Sequence, residues 1–374
     1  VTAWVSRKRS RIVSGITPPG TLAQILAQAA TQRVDVPVVG DSVTEGHGAS
    51  SFATRGIAAI NSSLRTRFLG TSSGGLGFTG IQNTGTFSFT WPVTVASGSP
   101  STTDTGPVRT GLTATSACTI TWTAPSGTTS VRVMYDNPGS GTAGSFTYKV
   151  GSGGTTTVSN SGSAQGGQLT ASITITGGQV LTLAWVSGTV HFDGLVHYAG
   201  DETAGLTFHG AGRCSWDAST SSPDGWRQAG EDWRPAVANL QSNGFFGVFL
   251  GLNDCNSLQG DGGFTAAQYQ ANLSALITYI RGNAAFTALQ VLLIIPYAPI
   301  ADGSNLTFKD GSWPPYRTAA LAVAAATANC TVADLTTGMT QPTSAGGDAN
   351  YYDGIHPNDT GYGKLATAVS GAIT

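Results

Sequence analysis

From about residue 204 onward the chain alternates continuously apolar runs with amphipathic ones, and this alternation restricts the fold more than any other feature. GFFGVFLGLND and LQVLLIIPYAP have no polar face to offer water, so a strand built from either must be covered on both sides. FTAAQYQANLSALITYIRGN, PYRTAALAVAAATANC and GYGKLATAVSGAIT carry apolar residues at helical spacing. AGLTFHGAG and TVADLTT add two further strands, and PDGWRQAGEDWRPAVANLQ a further helix. Buried strands alternating with helices predict a parallel sheet covered on both faces, a three-layer α/β/α fold. Residues 20–68 repeat the pattern: LAQILAQAATQ as helix, VDVPVV as strand and SSFATRGIAAINSSLRTRF as helix, with a sharp turn at Gly40-Asp41-Ser42.

Between these stretches the pattern changes. TFSFTWPVTV, ACTITWTAP, TSVRVMYDN, GSFTYKVGS, TTTVSNS, LTASITITG, QVLTLAWVSG and TVHFDGLVHYAG are short, alternating and separated by Gly/Ser/Asn/Pro turns. That spacing predicts an inserted all-β sandwich or jelly roll. The expected division is 1–74 and 204–374 for the two parts of the α/β domain, with the β domain at 75–203.

Only 10% of residues are charged and the net charge is −2, so neither nucleic acid nor an anionic membrane is implied as a partner. The N-terminal VTAWVSRKRSRIVSG is basic but lacks the apolar run of a secretory signal, and no stretch approaches the ~18 apolar residues of a membrane span. Two readings stay open: a signal already removed, giving an extracellular protein, or exit by another route, as part of a virus particle. Cys118, Cys214, Cys255 and Cys330 form no CxxC pair, so no zinc site is expected. The favoured reading is four mostly buried thiols.

Four places carry residues suited to acyl-transfer chemistry, each just after the carboxyl end of a strand, where a parallel sheet builds its site. In VVGDSVTEGHG, Ser42 sits in the turn between strand and helix, its hydroxyl exposed and its N–H near the helix start. In HGAGRCSW, Gly212 lets a backbone N–H approach a reacting oxygen. In FLGLNDCN, Asn253 can aim its amide at the same oxygen. In YYDGIHPND, Asp353 stands three residues before His356, where a carboxylate can fix the imidazole tautomer and stabilise its cation. Taken singly, each is also an ordinary turn or surface residue.

In this order the blocks GDSVTEG, HGAGRCS, GLND and DGIHP resemble the SGNH/GDSL hydrolases, over about 20–68 and 204–374. The resemblance implies a serine esterase with Ser42, Asp353 and His356 as triad. It further implies Ser42, Gly212 and Asn253 as oxyanion donors, and no metal or organic cofactor. About 170 residues separate Ser42 from Gly212, a gap the β insertion accounts for; TSSGGLGFTG at 71–80 competes with Gly212 for its role. Insertion-bearing members of the family include carbohydrate O-acetyl esterases and virus tail proteins. The substrate expected is therefore a short acyl group, acetyl above all, on a carbohydrate polymer or small ester. A lipid acyl esterase and a non-catalytic carbohydrate-binding or virion structural protein are the alternatives.

Other residues remain open in the sequence. Arg213 either contacts substrate or pairs with a nearby acid. His47 lines the pocket or, the favoured reading, sits in a solvated loop; His191, His197 and His209 read as structural. Trp91, Trp122 and Tyr148 are either sugar-stacking or, the favoured reading, core. If the loops bearing Gly212 and Asn253 converge, Cys214 and Cys255 come close enough to be bonded. The insertion is expected to position a polymer while contributing little to bond cleavage.

Overall fold

A computed structural model describes residues 21–374 apart from 73, 84, 86, 88, 138–143, 161–164, 221–223, 228–232, 242–244, 288 and 302–305. The basic segment VTAWVSRKRSRIVSG lies outside the described residues. The first helix, α1 (Leu22–Ala27), is entered through a capping box in which the Thr21 and Gln24 side chains satisfy each other's backbone N–H. Next come β1 (Arg33–Gly40), the single turn α2 (Ser42–Glu45) and α3 (Gly56–Leu69).

An antiparallel part follows: β2 (Gly77–Gly80), β3 (Val93–Ser97), β4 (Ser101–Thr103), β5 (Gly111–Ala114), β6 (Thr119–Thr123) and β7 (Ser130–Asn137). It continues with β8 (Ser145–Val150), β9 (Thr156–Ser159), β10 (Gln165–Leu169), β11 (Ile173–Thr174), β12 (Val180–Ser187) and β13 (Val190–Tyr198). The chain then returns through β14 (Gly205–Gly212), α4 (Arg234–Asn239), β15 (Phe245–Phe249) and α5 (Ala266–Arg281). It closes with β16 (Gln290–Ile295), α6 (Pro314–Ala326), β17 (Cys330–Asp334) and α7 (Asp359–Ala372).

Five strands pair in parallel in the order β14-β1-β15-β16-β17. Their apolar runs are explained by where alternate residues go. Val34, Val36 and Val38 of β1, Phe245 and Phe249 of β15, and Leu292 and Ile294 of β16 join α1, α3 and α7 in one buried cluster. Val39, Phe246, Val248, Val291, Leu293 and Ile295 join α4, α5 and α6 in another. Each fully buried Val, Leu, Ile or Phe contributes about 1.5–3 kcal/mol, so both faces need covering and the three layers follow. This is the three-layer α/β/α arrangement expected from the alternating runs.

Among the described residues the antiparallel strands form two sheets. One runs β10-β7-β13-β5-β4, with β11 added on β7 and β2 on β13; the other runs β3-β6-β12-β8-β9. Both feed one apolar cluster that includes Leu112, Val133 and Phe192 from the first, and Ile120, Trp122 and Leu181 from the second. The antiparallel part does not stand apart from the rest. Phe78, Met134, Val196 and Tyr198 share a buried cluster with Val39 and Ala211 of the parallel sheet. On another edge, Asn239 of α4 donates to the carbonyls of Gly166 and Gly167 at 3.1 and 2.9 Å.

Two elements differ from expectation. The helix expected at 223–241 is described only as α4, with Pro235 in its first turn; Trp226 instead sits in a turn, fully buried. Among the described residues TFSFTWPVTV yields a strand only from Val93, and Phe87, Phe89 and Trp91 before it pack on one another, the latter two also on Phe52. Pro92 lacks the N–H that a ladder needs.

Candidate active site

Ser42 is the first residue of α2, two positions beyond the strand end at Gly40. Asp41 caps that turn, accepting from Val43 N at 2.9 Å, and Gly46 ends it in a left-handed conformation (φ 110°). Burial raises the Asp41 carboxyl from 3.8 to about 6. Tyr362 of α7, fully buried, donates to the carbonyls of His47 (2.6 Å) and Val43 (3.3 Å), tying the turn to the last helix.

The segment before α7 brings the imidazole to Ser42. Asp353 Oδ1 accepts from Ile355 N and His356 N at 2.7 and 2.6 Å, a tight turn that fixes the His356 ring above the carboxylate. His356 Nδ1 lies 2.9 Å from Asp353 Oδ2, and His356 Nε2 lies 2.9 Å from Ser42 Oγ. Burial works to raise the Asp353 carboxyl, but hydrogen bonds from His356 and the charge of its ring outweigh that and hold it below the ordinary value. An ionised carboxylate, an imidazole and a hydroxyl in series can move a proton off the hydroxyl.

Asn253 follows β15, the strand next to β1. Its Nδ2 donates to the Trp216 carbonyl at 3.0 Å and its Oδ1 accepts from Gln259 Nε2 at 2.9 Å, leaving one amide hydrogen uncommitted to either partner. Asp254 beside it accepts from Ala218 N at 3.1 Å, so the loops after β14 and β15 are joined.

Gly212 ends β14 as expected, but its setting is one of close packing. A Cβ there would lie 2.5 Å from Glu45 N and 2.7 Å from both Asp41 O and Thr44 Cβ. Across the ladder Arg213 N donates to Gly40 O, so the amide of Gly212, one residue earlier, points to the side of β14 away from β1. The expectation that this N–H serves the oxyanion is not supported. Arg213 Nη1 donates to Arg109 O at 2.7 Å and lies 3.6 Å from Asp104 Oδ1, the nearby acid that the ion-pair reading called for.

His47 is likewise corrected. Its ring packs on His356 with centroids 4.1 Å apart, between Tyr352 (5.9 Å) and Phe87 (6.0 Å), instead of standing in solvent. Burial, and then the neighbouring His356 charge, lower its pKa to about 4. Ligand-type atoms of His47, Asp353 and His356 lie within 4.8 Å of one another, the one such cluster among the described residues able to hold a metal ion. Of the remaining histidines, His209 pairs with buried Asp35 at 3.0 Å and His197 is buried. All four cysteines are free, so Cys214 and Cys255 are not bonded. Trp122 is core at 1% exposure; Trp91 is half-buried, in the aromatic cluster that reaches His47 through Phe87.

Over residues 145–364, more than half of its length, the sequence matches the GDSL-like Lipase/Acylhydrolase family. The chain belongs to that family. It is a carboxylic ester hydrolase of the SGNH type. The matched stretch contains Gly212, Asn253, Asp353 and His356, whereas Ser42 lies upstream and joins them only in space. Among solved structures, a peptidoglycan O-acetylesterase superposes on this esterase with a TM-score of 0.64, covering 93% of each chain at 15% identity. A carbohydrate esterase family 2 enzyme with a carbohydrate binding domain, from Corynascus thermopiles (Myceliophthora fergusii), superposes loosely. Its TM-score is 0.34 at 11% identity, over 75% of this chain and 98% of its own. A family two carbohydrate esterase from Clostridium thermocellum, in complex with cellohexaose, gives 0.32 at 10% identity over 70% and 93%. No curated protein matches the chain in sequence.

Proposed function

We propose that this GDSL-family hydrolase removes short acyl groups, acetyl above all, from the hydroxyls of a carbohydrate polymer through an acyl-enzyme on Ser42. The observation that carries the mechanism is the Ser42–His356–Asp353 relay, with 2.9 Å at each of its two links. His356 Nε2 takes the hydroxyl proton as Ser42 Oγ attacks the ester carbonyl, and Asp353 stabilises the imidazolium. The Ser42 N–H and the uncommitted Asn253 N–H receive the oxyanion. His356 then protonates the departing sugar hydroxyl, and water repeats the sequence on the acyl-enzyme.

The carbohydrate part rests on the wall beside the relay, where Tyr352 and Phe87 flank His47 and Trp91 packs on Phe87. Such rings suit the apolar faces of sugars. Residues 75–203 are read as an inserted β-sandwich domain that supplies part of this wall, and the site as extracellular or on a virion. Among the described residues no helix is long and apolar enough to cross a membrane.

The test is turnover of p-nitrophenyl esters of increasing chain length, and acetate release from an O-acetylated polysaccharide, by the native chain and by Ser42→Ala. Loss of at least ~10³-fold in kcat is expected for Ser42→Ala, with acetyl preferred. Native-like turnover by purified Ser42→Ala ends the proposal; preference for long acyl chains ends its substrate part.

A further inference from the structure

Three non-glycine residues among those described hold a left-handed backbone: Arg109 (φ 53°), Ser215 (φ 66°) and Asn329 (φ 55°). Such conformations persist where surrounding contacts over-determine them. Two of the three face each other across one seam, between the β4–β5 loop of the antiparallel part and the loop after β14.

The seam is densely bonded. Arg109, 1% exposed, donates Nε to Asp104 Oδ1 at 2.8 Å and Nη2 to Asp104 Oδ2. Its carbonyl accepts from Arg213 Nη1 at 2.7 Å. Both guanidinium groups lie over the ring of Trp216, Arg213 at 4.0 Å and Arg109 at 4.9 Å. Two cations on one indole repel each other, and the Asp104 carboxylate, in reach of both, offsets that. Trp226 closes the arrangement edge-on to Trp216 at 4.8 Å and donates Nε1 to Gly40 O at 3.0 Å.

What this clasp holds is the Trp216 carbonyl, the acceptor for Asn253 Nδ2. With Gln259 donating to Asn253 Oδ1, a flipped amide would set N–H against N–H and carbonyl against carbonyl. The direction of the remaining Asn253 N–H therefore depends on where Trp216 is held, and Trp216 is held from the antiparallel part of the chain.

We infer that the Asp104–Arg109 loop is a positioning element for the ester-hydrolysis site: Arg109 and Arg213, stacked on Trp216, set the Asn253 amide to receive the oxyanion. This rests on the oxyanion role proposed above for Asn253. It gives the antiparallel part a share in turnover, where the sequence suggested polymer positioning with little contribution to bond cleavage.

The test uses Arg109→Gly, because glycine adopts φ near +53° without strain while losing the guanidinium. Arg213→Ala, on a partly exposed side chain, serves as a second variant if the first fails to fold. Steady-state kinetics on p-nitrophenyl acetate and thermal melts are measured for each variant, in the native and Asn253→Ala backgrounds. Each folded variant should lose about 10-fold in kcat with KM within about 2-fold, and should cost less than about 2-fold more once Asn253 is Ala. Native kcat in both folded variants, or the same fold loss in both backgrounds, overturns the inference alone. Native activity in Asn253→Ala itself overturns the oxyanion reading and the inference with it.

Discussion

Gly212→Ala distinguishes a residue that supplies a hydrogen bond from one that supplies room. Alanine keeps the backbone N–H, so an oxyanion role by itself leaves activity nearly intact. The packing predicts otherwise. The new methyl would stand 2.5 Å from Glu45 N and 2.7 Å from Asp41 O, two backbone atoms bonded to each other at 3.0 Å in the turn that carries Ser42. Ordinary contact between heavy atoms is about 3.5 Å, so the turn must retreat by close to 1 Å or β14 must yield. No flexible side chain can absorb the clash, since these contacts are backbone. Overpacking of this kind costs about 1–3 kcal/mol of stability. A displacement near 1 Å at a nucleophile costs about 10²-fold in rate, because the 2.9 Å bond from Ser42 Oγ to His356 cannot survive it unchanged. The assay is kcat for p-nitrophenyl acetate together with a thermal melt. Gly212→Ala with native kcat and native Tm would refute the close approach of β14 to the turn that carries Ser42.

Asp353→Asn keeps the shape but not the charge, and should lower kcat by about 10⁴-fold; a loss under tenfold in purified enzyme would deny the carboxylate its role. Between pH 3.8 and about 6 the folded chain binds the Asp41 proton more tightly than the unfolded one, so this group's contribution to stability falls as pH rises through that window. Asp41→Asn keeps a cap acceptor for Val43, and its Tm relative to the native chain should rise between pH 4 and 7.5; a constant difference would reject the raised carboxyl. His47 titrates the other way. With its folded value near 4 and its ordinary value 6.5, stability from this group rises with pH across that interval and is lost as pH falls through it. His47→Phe, which keeps a ring against His356, should flatten that slope in Tm while leaving kcat within about tenfold, and an unchanged slope would count against the buried neutral imidazole. Alkylation of the unfolded chain without reductant should add four labels, and fewer would contradict four free thiols.

Much of the fold is written locally. GFFGVF and QVLLII are apolar at every position because alternate residues enter opposite layers, and that double burial is visible in the sequence. Ser42, Asn253, Asp353 and His356, the residues proposed to react, stand out in the sequence because each sits at a strand end or in a tight turn, and their three blocks follow buried strands or precede a capped helix. Asp353 and His356, three residues apart, meet through their own turn. The helix expected around Trp226 illustrates the opposite case: its apolar residues were needed by a core of three tryptophans, Trp216, Trp226 and Trp233, and tertiary packing overrode the local pattern.

By itself, then, the sequence determined the layering and singled out the side chains proposed to react, since these depend on periodicity and on groups within a turn of one another. It did not determine what lies across a seam. Gly212 looked like a donor until β14 was seen pressed on the Ser42 turn, because a glycine reveals nothing of the neighbour that excludes its Cβ. Burial of His47 against His356, the reach of Arg109 to Trp216 and that of Asp104 to Arg213 join residues more than 100 positions apart in the chain. The two histidines meet inside the α/β part, where α7 packs on the Ser42 turn; Arg109 meets Trp216 only where the antiparallel part packs onto the α/β core. Their burial, charge and orientation follow from that packing and leave no trace in local spacing.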